Sequence, residues 1–196
     1  MDFSTLGIAM GSAWLSGINL YMTVLSLGLL QRFHLANLPG DLSYLAHTWI
    51  LVVAGSLAAV QFIADKIPAV DSVWDVIHTF IRIPAGAIMA AAAFAHLDPS
   101  VRIMALLIGG GIALSSHSAK TATKLAANAS PEPVSNVVLG LAADAATVGG
   151  SVLMTSHPIV MAVLVVLAVL FSVILIRWIF RMMRKLFKPQ PKESIA

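Results

Sequence analysis

Apolar residues run through this chain in long blocks, and the blocks set the first expectation. Six segments read as membrane helices by length and composition: roughly 5–30, 47–64, 83–97, 101–127, 136–155 and 158–180. The third is short by itself, and a kink at Pro84 would join it to the charged stretch before it. Only the last, with "PIVMAVLVVLAVLFSVILI", reads as plain lipid-facing helix. The expected fold is all-α: a polytopic transmembrane bundle of about six helices, with residues 1–180 as one domain and 181–196 as a basic tail.

The polar positions inside these blocks are patterned. The stretch "DKIPAVDSVWDVIHTFIR" (65–82) holds Asp65, Lys66, Asp71, Asp75, His78 and Arg82. On a helix, Asp71, Asp75, His78 and Arg82 stand at i, i+4, i+7 and i+11, within a stripe about 60° wide. Val73, Trp74, Val76, Ile77, Phe80 and Ile81 cover the other faces, which inverts the pattern of a soluble surface helix. Such a seam lies at the headgroups or faces a polar cavity, so 65–82 is expected as a charged helix or re-entrant segment on the cytoplasmic side. The fourth block repeats the spacing with His117, Thr121, Lys124 and Asn128, and Lys120 stands alongside. Two matching seams of complementary charge predict that Asp71 and Asp75 meet Lys120 and Lys124.

Asp144 is the sharpest single residue. No other charge lies between Glu132 and the C-terminal cluster, and Asn136, Gly140, Thr147 and Ser151 share its helical face. A carboxylate at that depth is a candidate proton or cation carrier rather than a packing residue. In the first block, Gly7, Ala9, Gly11, Ala13 and Gly17 fall at helical spacing for close packing, with Ser12, Ser16 and Asn19 nearby. That stripe suits a neighbouring helix or a homodimer.

Composition agrees with the pattern. The chain is 59% hydrophobic and 11% charged, with mean hydropathy +0.91, so each buried charge needs a partner or a function. There is no cysteine, which excludes disulfides and thiolate chemistry. The net charge of +3 does not point to nucleic acid, because the excess sits in the C-terminal cluster Arg177, Arg181, Arg184, Lys185, Lys188 and Lys192. That cluster suits anionic lipid. With six crossings, ten of the twelve Lys and Arg fall on the cytoplasmic side and only Arg32 and Arg102 outside, placing both termini in the cytoplasm.

Enzyme-like patterns are weaker. Asp71, Asp75 and His78 have spacing compatible with a divalent metal on one helix face, as in membrane enzymes that handle phosphates. "SSHS" (115–118) offers no Ser/His pair, because adjacent helical residues point apart. No catalytic residue is assigned and no cofactor is required.

Taken together, "SG" (16–17), "LPG" (38–40), "FIADKIPAVDSVWDVIHTFIR" (62–82), "HSAK" (117–120), "NASPEPVSN" (128–136), "AD" (143–144) and "HP" (157–158) resemble a family of small bacterial polytopic membrane proteins catalogued as a domain of unknown function. The resemblance covers nearly all of the chain except the tail. In the family's pattern an acidic residue often stands where Gln61 is and again where Ala143 is, so this chain lacks two carboxylates that relatives carry. The resemblance implies a multi-pass protein of the bacterial inner membrane and names no substrate.

The function expected is a permease for an ion or small solute, coupled to a proton or cation through Asp144. Its pathway would be lined by Asp65, Lys66, Asp71, Asp75, His78, Arg82, His117, Lys120, Lys124, Asn128, Asn136 and Asp144. One alternative is a flippase or metal-dependent enzyme acting on a lipid phosphate through Asp71, Asp75, Lys120 and Lys124. The other is a structural or assembly subunit whose seams only hold helices together.

Overall fold

Helix starts follow local chemistry. The Asp2 side chain accepts from Ser4 N–H (3.1 Å) at the first helix, and Asp98 accepts from Ser100 N–H (2.8 Å) at the fourth. Proline stands at the first position of that fourth helix, Pro99, and opens two others at Pro68 and Pro158, where a missing N–H costs nothing. In a computed structural model, residues 2–65, 68–128 and 134–186 are described; the side chains of 68–73, 125–128, 134–136, 179–180 and 182–186 lie outside the description.

The described residues form six α-helices and one 3-10 helix, with no strand: α1 (Phe3–Arg32), the 3-10 helix (Gly40–Ala46), α2 (Thr48–Ala64), α3 (Pro68–Ala92), α4 (Pro99–Asn128), α5 (Val134–Ser156) and α6 (Pro158–Leu186). Five of the α-helices are long and apolar enough to cross a membrane; α2, with 17 residues, joins them when counted with the 3-10 helix, from which it bends by 73°. The protein is a polytopic helical bundle.

α1 is not one rod. Asn19 adopts extended backbone (φ −146°, ψ 97°) inside it, dividing the helix into halves at 3–18 and 20–32. Gly86 of α3 packs against Ala13 and Ser16, and farther on Ala90 of α3 and Phe94, just past its end, share a cavity wall with Leu6 and Met10. The first half therefore runs antiparallel to α3. The second half runs parallel to it: Tyr21 meets His78, Leu20 and Val24 lie beside Ala85, and Gly40 packs on the carbonyls of Ala92 and Ala93. Leu38 N–H donates to Gln31 Oε1 (2.7 Å), holding the following loop against the end of α1. Two halves that follow one helix in opposite senses must fold back on each other.

The fold-back sets the two ends of the bundle. Gly7 packs on Pro158 and Gly11 on Met154 and Met161, so both ends of α1, the α3–α4 turn and the α5–α6 turn share one end. At the other end lie Asp65, the start of α3, the end of α4, the start of α5 beside Gly140, and the end of α6. Six full crossings would have returned both termini to one side. With α1 folded back, Phe3 and the basic end of α6 lie at opposite ends of the bundle.

α3 passes through Pro84 as one helix, so 68–82 is its first half, and the element that turns back on itself is α1. The small-residue stripe Gly7, Ala9, Gly11, Ala13 and Gly17 is buried against α3, α4, α5 and α6 of the same chain, leaving none of the five on an outer surface. Gly17 shows why size matters there: a Cβ would collide with Ser116 Oγ and the Ala113 carbonyl.

Candidate functional site

The polar seams of α3 and α4 face each other deep in the bundle. Asp75 accepts from Arg82 Nη1 (3.0 Å) through Oδ1 and from Lys124 Nζ (2.7 Å) through Oδ2. Asp75, Arg82 and Lys124 are all buried. Breaking a buried pair by removing one partner costs about 3–5 kcal/mol, because the other charge stays behind. The bridge ties two cations to one carboxylate across the α3–α4 contact.

Histidines extend the network toward α1. His78 Nδ1–H donates to the Trp74 carbonyl (2.7 Å), leaving Nε2 to accept the Tyr21 hydroxyl (2.8 Å). The Trp74 ring stacks on the imidazole at 4.3 Å, and the Tyr21 ring meets it edge-on at 5.4 Å. Thr79 donates to the Asp75 carbonyl (2.9 Å) and accepts from His117 Nε2–H (2.7 Å), a second tie between α3 and α4.

The break of α1 closes the third wall. Asn19 Oδ1 accepts from Met22 N–H (3.1 Å), capping the second half-helix, and Thr23 Oγ1 donates to the Asn19 carbonyl (2.7 Å). Asn19 Nδ2 donates to Asp144 Oδ1 on α5 (2.6 Å), and Lys120 Nζ donates to the Ile18 carbonyl (2.9 Å). Backbone freed from the helical ladder is thus taken up by an ammonium, and the residue that breaks the helix is held by a carboxylate.

α2 brings Gln61 and Asp65 one turn apart. Asp65 lies beside Gly140, within Coulomb range of Lys120 and Asp144. Gln61 is fully buried, and neither of its amide atoms has a hydrogen-bond partner among the described residues. Asp65 Oδ1, Arg82 Nε and Nη2, and Thr121 Oγ1 are buried without partners in the same sense.

The expected residues divide cleanly. Asp65, Asp75, His78, Arg82, His117, Lys120, Lys124 and Asp144 converge on this interior. Lys66 and the side chains of Asp71, Asn128 and Asn136 lie outside the described residues. Of the three residues expected to suit a metal, Asp75 has both oxygens and His78 both nitrogens engaged by protein groups, and the Asp71 side chain lies outside the described residues. No cluster of three or more His, Cys, Asp or Glu that could hold a metal occurs among the described residues. Sequence reasoning gave no role to Tyr21 or Thr79 and treated Asn19 as packing. The available signal was an asparagine inside an apolar block with a threonine four residues later.

A family model described as "Domain of unknown function (DUF4126)" matches residues 6–178, from the first half of α1 to the basic end of α6. The chain belongs to this family. The match covers every element of the polar interior, so the site is part of the DUF4126 domain itself. No curated protein and no solved structure matches the chain.

Proposed function

We propose that this DUF4126 protein is a permease of the bacterial cytoplasmic membrane, passing an ion or small solute through the polar interior between α1, α3, α4 and α5. The observation that carries this reading is the break of α1 at Asn19. Irregular backbone at membrane depth persists only where protein buries it or a cavity lies beside it, and transporters place their sites at such breaks. Here both partners of the break are ionisable, Lys120 on the Ile18 carbonyl and Asp144 on the Asn19 amide. A change in charge or partner at either group releases the break to a solute, which couples movement to a proton or cation at Asp144.

The basic residues orient the bundle in this reading. Arg177 and Arg181 mark the Asp65 end as cytoplasmic, with the tail on anionic lipid, while Arg32 and Arg102 lie at the opposite end. The N-terminus is then on the outer side.

Reconstitution tests the proposal. Liposomes holding the purified protein and a pH-sensitive dye are given an imposed pH gradient or potassium diffusion potential. Proton or cation flux above that of protein-free liposomes is expected, and it is lost in Asp144→Asn protein that still melts cooperatively. Flux no greater than in protein-free liposomes under every gradient, or flux unchanged in Asp144→Asn, sinks this reading.

A further inference from the structure

Arg82 is the largest fully buried side chain in the described structure, with no exposed surface at all. Its guanidinium spends one nitrogen, Nη1, on Asp75 (3.0 Å). The other edge, Nε and Nη2, is buried and has no hydrogen-bond partner among the described residues. That edge carries two parallel N–H groups, the fork that matches two oxygens of a carboxylate or phosphate. Leaving two donors of a charged group without protein partners costs more than leaving neutral ones, because each forfeits a charge-assisted bond. A purely structural ion pair has no use for that arrangement; Lys at the same position would satisfy Asp75 with fewer donors left over.

The surroundings suit an anion. Lys120 stands within Coulomb range of Arg82, and its ammonium is bonded to a neutral carbonyl rather than to a carboxylate. Tyr21 and His117 also lie within Coulomb range of the guanidinium. We propose that the permeating solute is an oxyanion, a carboxylate or phosphate group received by the Nε–Nη2 edge of Arg82 and accompanied by Lys120. This deepens the permease reading and rests on it for the word "permeating"; the binding step stands by itself.

The same chemistry has two sources. A free anion would enter from water at the Asp65 end. A lipid headgroup would enter sideways: an apolar groove of about 450 Å3, lined by Leu20, Val24, Trp49, Leu57 and Ala85, reaches Tyr21, whose hydroxyl already bonds His78. An acyl chain in that groove brings its headgroup to the network.

The test is a melting-temperature titration of the full chain in detergent, read by tryptophan fluorescence, since a ligand of the folded state alone raises the midpoint. The free-anion probes are sodium phosphate and sodium acetate, each against sodium chloride at equal ionic strength. The lipid probe is a monoacylglycerol phosphate against the same monoacylglycerol without its phosphate. A rise with phosphate or acetate assigns a free anion; a rise confined to the monoacylglycerol phosphate assigns a headgroup. Arg82→Lys keeps a cation for Asp75 but lacks the fork, and about tenfold more probe is expected for the same rise. Asp75→Asn removes the competing carboxylate, and a larger rise than in wild type is expected even though the unliganded protein melts lower.

The proposal is overturned by wild-type protein that no oxyanion shifts beyond its control. An undiminished response in Arg82→Lys, or a smaller rise in Asp75→Asn, overturns it equally. Should neither variant fold, wild type decides by whether oxyanions outrank chloride. The liposome flux assay separates the two readings. Asp144-dependent flux without oxyanion binding leaves the permease and removes this inference. Binding without flux does the reverse.

Discussion

Asn19 Nδ2 donates to Asp144 Oδ1 across 2.6 Å, and this one bond joins the break in α1 to the one carboxylate of α5. It makes the two features a single device. The residue that interrupts the helix is also the residue that holds the half-buried acid, so neither keeps its environment without the other.

Replacing Asn19 by Ala removes the cap on Met22 N–H and the donor to Asp144 together. Loss of an N-cap costs about 0.5–2 kcal/mol, and the half-buried Asp144 acceptor left without its donor adds to that. A fall in melting temperature is therefore expected for Asn19→Ala. Asp144→Asn should fall less, because an amide oxygen still accepts from Asn19. An Asn19→Ala protein as stable as wild type would mean that the break is held by packing alone.

The Asp75 bridge predicts strong coupling. Asp75→Asn leaves Arg82 and Lys124 without the carboxylate both of them bond, at a cost of about 3–5 kcal/mol. Lys124→Met alone removes one cation from a carboxylate that still holds Arg82, and should cost less. Adding Lys124→Met to Asp75→Asn should recover about 1–2 kcal/mol of the first loss, a non-additivity that a double-mutant cycle reads directly. Strict additivity would show that the two charges act independently.

Glycines divide by what a Cβ would meet. At Gly17 it would strike Ser116 Oγ and the Ala113 carbonyl, one of them rigid backbone, so Gly17→Ala should lose about 1–3 kcal/mol. At Gly111 nothing lies within 4 Å, and Gly111→Ala should be neutral or gain up to about 1 kcal/mol from helix propensity. Melting both variants side by side in one detergent is enough. Equal behaviour would remove the close approach of α1 and α4 from the account.

The charged seams were legible because their spacing is a helical property. Residues at i, i+4, i+7 and i+11 share a face whatever the tertiary fold, so Asp75, His78 and Arg82 had to face together, as did His117 and Lys124. Their mutual approach followed from the cost of unpaired charge in a membrane. Asp144 stood out for the same reason. The break at Asn19 was not legible, because hydropathy registers length and composition, and a helix that folds back has the same composition as one that crosses. Gly7 through Gly17 read as a packing stripe, which they are; their partners belong to four different helices that only the topology identifies. Tyr21 was hidden by its apolar ring, since its role comes from a hydroxyl aimed at a histidine 57 residues away.

The fold-back makes the last prediction, and it needs no knowledge of the substrate. The chain has no cysteine, so single cysteines report without background. Asp2, Asp41 and Ser100 are exposed and lie at the end of the bundle that holds Pro158; the basic end of α6 lies at the other. In right-side-out cells, a membrane-impermeant maleimide should label Asp2→Cys, Asp41→Cys and Ser100→Cys alike. A Ser194→Cys tail should label only after the membrane is opened. An α1 that crossed the membrane would instead shield Asp2→Cys while leaving Asp41→Cys reactive. The two positions sit on either side of α1, so their agreement or disagreement decides whether Asn19 turns the chain back within the membrane.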